Sequence, residues 1–129
     1  MKISIPRTLD RKEIDTWRQD VVDRIGAVKW IAVTFENTWV NYHSSFQPAA
    51  YCKDGMGFVH LQGLVKDGTD NSIIFTLPVG YRPAHNGVFC VISNSIIGRV
   101  DISAGGAVKA EDPSSPDWIS LEDITFYAG

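Results

Sequence analysis

The chain reads as an all-β protein, a jelly-roll-like or related Greek-key β-sandwich with one short N-terminal helix. Two observations predict this. About nine or ten short apolar runs recur roughly every 8 to 12 residues, separated by Gly, Asn, Asp and Pro, as in sandwiches and barrels of short strands. Several runs also alternate apolar and polar residues with a period of two, whereas a helical period is confined to one segment. With 129 residues, 44% of them hydrophobic, the chain has the material for one domain with its own core. It carries no second domain, tandem repeat or low-complexity tract.

Residues 10 to 25 are the helix candidate. Asp10 and Glu13 form a D-x-x-E pattern like a capping box, and Gly26 can end the helix. Ile14, Trp17, Val21 and Ile25 fall three and four apart and so make one apolar stripe. The stripe is too short for a coiled coil, and Arg24 takes the next core position. It suits either a neck that packs against its own copies or a lone helix laid on its own sandwich.

From Val28 the pattern becomes extended. Ile31, Val33 and Phe35 alternate with Trp30, Ala32 and Thr34; Glu36-Asn37-Thr38 turns; Trp39 to Tyr42 is a second strand and Ala50 to Lys53 a third. Asp54-Gly55 signals a hairpin. The stretch from Gly57 to Pro83 follows, and the rest of the chain is arranged around it. Val59, Leu61 and Val65 share one side of an extended run, with His60, Gln62 and Leu64 on the other. The polar segment 66–72 is expected to reverse the chain, so that Ile73 to Phe75 returns as the second arm of one hairpin. That arm ends at Leu77-Pro78, because proline has no N–H for a ladder, and a Pro78–Gly80–Pro83 turn follows.

Beyond it, Val88 to Ile92 is apolar on both faces, which predicts a strand central in its sheet. Asn94-Ser95 turns. In Ile97 to Ser103, Val100 and Ile102 point inward and Arg99, Asp101 and Ser103 outward. Ala104-Gly105-Gly106 turns into a strand at Ala107 to Lys109, Glu111 to Pro116 is the longest polar loop, and strands at Trp118 to Leu121 and Ile124 to Tyr127 close the domain.

These segments also carry a resemblance. VHLQGLVKDGT (59–69) and IIFTLPVGYRPA (73–84), preceded by Trp39, Tyr42 and AAYCKDGMG (49–57) and followed by GRVDISAGGAV (98–108) and WISLEDITF (118–126), resemble the C-terminal head domain of bacteriophage tail-fibre and receptor-binding proteins. The likeness runs from about Trp39 to Phe126. It implies a sandwich module, usually a homotrimer, that docks on the bacterial surface as part of the virion tail after synthesis in the host cytoplasm. It divides the chain into an N-terminal helical neck or trimerising segment, 1–26, and a head, 27–129, and implies other tail or baseplate proteins as partners. Starting at Met1 and entering a helix almost at once, the chain reads equally as a complete product or as the distal piece of a longer fibre.

Net charge is −3 and the pI about 5.5, so there is no basic excess to neutralise a phosphate backbone, and nucleic acid is not an expected partner. No run of 18 apolar residues exists to enter a membrane, and MKISIPRTLDRKE lacks the apolar core of a signal peptide. Cys52 and Cys90 stand in apolar strands without CxxC spacing and are expected as buried free thiols, though a disulfide remains possible. His43, His60 and His85 lack metal-ligand spacing, so neither metal nor cofactor is expected. No G-x-S-x-G elbow appears. Asp101, Glu111, Asp112, Asp117, Glu122 and Asp123 read as solvated carboxylates, not a catalytic pair, so no enzyme activity is expected.

Carbohydrate recognition fits better. A sugar ring presents an apolar face to an aromatic side chain and hydroxyls to neighbouring polar groups. Asp117-Trp118, after the long loop, supplies both, and Arg99 and Asp101, two apart on a strand, point the same way beside them. His85, with Asn86 after the GYRPA turn, is a further candidate on a loop tip. Each has a plainer reading: Trp118 as a rim or core residue, Arg99–Asp101 as a surface ion pair, His85 as part of a turn. Trp17, Trp30 and Trp39 read as packing or interface residues, and Tyr81 as the cover of a sheet end. The expected function is attachment of a virion to a host saccharide. The alternatives are a structural trimerising or capping tail protein and a fragment of a polysaccharide-degrading enzyme.

Overall fold

The computed structural model describes residues 11–25 and 28–129, with the backbone alone for residues 20–25. Helix α1 spans Arg11–Ile25, in the segment expected from its stripe. Ile14 and Trp17 are half-buried, and the Trp17 indole nitrogen is enclosed with no partner among the described residues. The proposed caps, Asp10 and Gly26, and the side chains of Val21 and Ile25 lie outside the described residues.

Among those residues, eleven strands form two antiparallel sheets. The strands are β1 (Ile31–Ala32), β2 (Val40–Asn41), β3 (Ala50–Lys53), β4 (Phe58–Gln62), β5 (Leu64–Lys66), β6 (Ile73–Thr76), β7 (Gly87–Ser93), β8 (Ile96–Ile102), β9 (Ala107–Glu111), β10 (Ile119–Ser120) and β11 (Thr125–Tyr127). The smaller sheet runs β1-β3-β4-β11 and the larger β2-β5-β10-β7-β8-β9-β6. This is the all-β sandwich expected. Between the sheets lie the inward residues of the alternating runs: Val59 and Leu61 from β4, Val65 from β5, Ile74 and Phe75 from β6, Val100 and Ile102 from β8, and Ile119 from β10. Trp39 caps this core, fully buried, and donates from Nε1 to Ser72 Oγ at 2.9 Å.

The expected single hairpin over 57–83 is not formed. Its first arm breaks at Gly63 into β4 of the smaller sheet and β5 of the larger, and β6 lies at the far edge of the larger sheet, paired with β9. Segment 67–72 is therefore a crossing and not a hairpin loop. The break has a local cause. Gly63 sits at φ +116°, and a β-carbon there would stand 2.5 Å from the Ala49 Cα, so only glycine turns this corner. The chain changes sheet again between β10 and β11, and the two corners are bonded together. Leu121 N–H donates to the Gly63 carbonyl (2.8 Å) and Leu61 N–H to that of Ile124 (2.9 Å).

Local turn chemistry decides other connections as expected. Asp54 Oδ1 accepts from the Met56 and Phe58 amides and closes the β3–β4 hairpin. Asn94 and Ser95, both at positive φ, form the two-residue turn from β7 to β8. The LPVGYRP turn is clamped: Leu77 N–H donates to the Gly106 carbonyl, Arg82 Nε donates back to the Leu77 carbonyl, and Tyr81 stacks edge-on against Tyr51 at 5.1 Å.

Strand β7 is the middle strand of the larger sheet, as its apolar run predicts. Only one of its faces is covered, however. Val88, Cys90 and Ile92 point outward and are exposed. Cys52 is the buried free thiol expected; Cys90 is free but exposed, because the sandwich has two layers and none of the described residues lies over that face. Trp30 is likewise exposed, and its packing role is not met within the head.

Candidate functional site

The loop before Trp118, long and polar in sequence, is tied down at both ends. The wholly buried Ser93 hydroxyl at the end of β7 accepts from the Ser115 amide at 2.8 Å and donates to the Trp118 carbonyl at 2.9 Å. Ser114 Oγ accepts from the Arg99 amide and donates to the Arg99 carbonyl, both at 2.8 Å. Asp67 N–H donates to the Pro116 carbonyl and Asn94 N–H to that of Trp118. Trp118 is thus delivered to the outer surface of the larger sheet by a fixed frame.

There it lines an open groove of about 610 Å³. One wall is Trp118 with Ile92 and Leu64, outward residues of β7 and β5. The other is Tyr42 and Phe46, packed edge to face with ring centroids 5.5 Å apart. Lys66 Nζ lies 5.5 Å from the Tyr42 ring centre, in cation–π range. The polar rim is Gln47, Ser45, Ser120 and Glu122. His43 Nδ1 accepts from both the Ser45 amide and the Ser45 hydroxyl, which holds the 43–46 turn that presents Phe46. Glu122 Oε1 accepts from the Gly63 amide at 3.1 Å, while its other oxygen has no partner among the described residues. Aromatic faces beside unspent carboxylate and amide groups are what a sugar ring needs.

The other expected site residues are placed elsewhere. Asp117 is exposed and accepts from Asn94 Nδ2 at 3.2 Å, beside the groove in sequence but not among its lining residues. Arg99 and Asp101 face outward from β8 as expected and are joined in a two-pronged ion pair of 2.8 and 2.7 Å, which holds the Arg99 guanidinium still more firmly charged. Asp101 also lines a separate crevice of about 230 Å³, with Asn86 and Lys109. His85 is exposed in the loop before β7, where Asn86 Oδ1 accepts from the Ala104 amide. The fold therefore assembles Trp118 with residues from 42–47, 64, 92 and 120–122, and sets Arg99, Asp101 and His85 apart from it.

A third crevice, of about 380 Å³, opens on the smaller sheet beside Trp30, Cys52, His60 and Gln62. Cys52 and His60 are cross-strand partners, and His60 Nε2 lies 2.8 Å from Asp54 Oδ2. This is the residue set of a nucleophile and its base, but not the arrangement. His60 Nδ1 is engaged by Thr125 Oγ1 at 3.2 Å, so neither ring nitrogen is free to take the Cys52 proton. Burial pushes the Cys52 thiol up, against the lowering effect of the His60 backbone N–H. The His60 hydrogen bond pulls the Asp54 carboxyl below its ordinary value, helped by the Phe58 and Met56 amides. Among the described residues no group of three or more His, Cys, Asp or Glu is placed to hold a metal ion.

No protein-family model matches the chain, and no curated protein does. Among solved structures, the fold is similar to the crystal structure of the receptor binding protein (gp15) of Listeria phage PSA, with a TM-score of 0.76 over 92% of this chain and 74% of that one. Sequence identity over the match is 19%. The two chains share a fold, and it is the fold of a phage receptor-binding protein, as the resemblance in the sequence implies.

Proposed function

We propose that this protein is the receptor-binding head of a phage tail, and that it attaches the virion to a saccharide on the bacterial surface without catalysis. One observation carries the reading: a preformed groove walled by Trp118, Tyr42 and Phe46 and rimmed by Glu122, Gln47 and Ser120, on a fold shared with a phage receptor-binding protein. Trp118 stacks on the apolar face of a sugar, and Glu122 accepts from its hydroxyls. The head works as a homotrimer, with residues 1–26 as the neck and other tail or baseplate proteins as its attachment, and it resides in the virion tail. Several identical weak sites on one virion give avidity, so each need bind only weakly.

The test is binding of the purified protein to cells of candidate hosts, together with its mass in solution and a Trp118→Ala control. Decoration of cells that is lost with the substitution supports the reading. A folded protein that binds no host envelope but assembles on another virion protein makes it a structural cap instead. Release of reducing ends from host polysaccharide makes it an enzyme.

A further inference from the structure

The outer face of the larger sheet is more apolar than solvent alone would leave it. Val88 and Ile97 are each 66% exposed and Ile92 is 50% exposed, with Cys90 between Val88 and Ile92 on the same side of β7. Ile92 pairs directly with Ile97 across the β7–β8 ladder, so these side chains form one patch in the middle of the sheet and not scattered single residues. A central strand that is apolar on both faces is ordinarily covered on both. Among the described residues one cover is missing.

The border of the patch says what the cover is. Next to it, Arg99 and Asp101 on β8 stand opposite Glu111 and Lys109 on β9. Arg99 is paired with Asp101 at 2.7 Å and Lys109 with Glu111 at 3.0 Å. Two positive and two negative charges alternate, and the band sums to zero. A surface for an acidic polymer or an anionic envelope would carry one sign. A self-compensated band beside an apolar centre suits a surface of like composition, another copy of the same face.

We propose that the Val88–Cys90–Ile92–Ile97 face is where copies of this chain meet, packed round the symmetry axis of the homotrimer. The inference rests on the homotrimer in the function proposed above and names its contact surface. The saccharide groove begins at Ile92, on the flank of this patch, so assembly leaves Trp118, Tyr42 and Phe46 at its edge.

The two thiols make the face readable without any substitution. Cys90 lies within the patch, whereas Cys52 is buried in the fold. Native protein is treated with a thiol-reactive reagent over a dilution series, with mass measured in solution at each concentration, and the same is done for a Val88→Lys/Ile97→Lys variant. The expected result is an assembled wild type whose Cys90 reacts about tenfold or more slowly than in the variant and speeds up as dilution dissociates it. The variant is monomeric, with Cys52 unreactive as proof of its fold. An assembled wild type with Cys90 freely reactive at every concentration overturns the inference but leaves the homotrimer standing. So does a folded variant that still assembles. A wild type that is monomeric throughout removes both the face and the homotrimer. Saccharide binding per site, measured on the same samples, reports separately on the groove, which neither substitution touches.

Discussion

The outer faces of the two sheets differ in how they treat their polar and apolar groups. On the smaller sheet, His60 spends one ring nitrogen on Asp54 and the other on Thr125, and Asp54 spends its second oxygen on two backbone amides. Every group in that cluster is answered from within. On the larger sheet, Val88, Ile92 and Ile97 are uncovered, Phe46 and Trp118 open onto a groove, and one oxygen of Glu122 has no partner among the described residues. A closed network holds a fold together; an open aromatic and apolar surface has interactions left to give. The contrast teaches where to look for function. A cluster that looks catalytic by residue type has its hydrogen bonds spent within the fold, and the face with uncovered aromatic and apolar groups is the one the proposed function uses.

The most severe way to break the contrast is to remove what both faces stand on. Trp39→Ala takes out the largest fully buried side chain, against whose ring Gly68 packs too closely for any β-carbon. It is expected to cost about 3 to 5 kcal/mol in denaturant unfolding, and to abolish binding only by unfolding the head. Ser93→Ala is smaller. It strands the Ser115 amide and one bond to the Trp118 carbonyl, so about 1 to 2 kcal/mol of stability is lost and saccharide binding weakens as Trp118 loosens. A stability loss with binding untouched would show that the groove does not depend on this frame.

Trp118→Ala separates binding from folding. Host-cell binding is expected to fall by about tenfold or more per site, as for an aromatic anchor, with a stability loss well below that of Trp39→Ala. The least effect is expected at the closed network, and it depends on pH. The carboxyl of Asp54 titrates below its ordinary value of 3.8 in the folded state, so the fold binds its proton less readily than the unfolded chain does. Its contribution is therefore complete above that value and is lost as pH falls through the folded one. The stability gap between wild type and Asp54→Asn, measured by unfolding at several pH values, should narrow below about pH 4 while cell binding at neutral pH stays the same. A gap that is constant with pH would mean the carboxylate is not the group at work.

Much of this was legible in one chain because strands are written locally. The inward set Val59, Leu61, Val65, Val100 and Ile102 follows from a period of two. The turns at Asp54 and Asn94-Ser95 follow from residues that accept tight geometry. The resemblance in VHLQGLV and LPVGYRPA pointed to the fold later found. Trp118 was legible as a candidate surface aromatic by its placement after a polar loop, but the residues that share its groove were not. Tyr42, Phe46, Leu64, Ile92 and Glu122 carry no shared motif, and no spacing in sequence joins them.

The sequence by itself determined the strands, their inward faces and the kind of chemistry the surface offers, because each depends on neighbours one to four residues away. Tertiary structure alone decided which strands pair and which surface residues meet. Gly63 sends β4 and β5 to different sheets, and so places Leu64 beside Trp118. That outcome rests on contacts between residues far apart in sequence, such as Gly63 against Ala49 and Leu121. Such a contact has no period to announce it, because its geometry exists only once both sheets are in place.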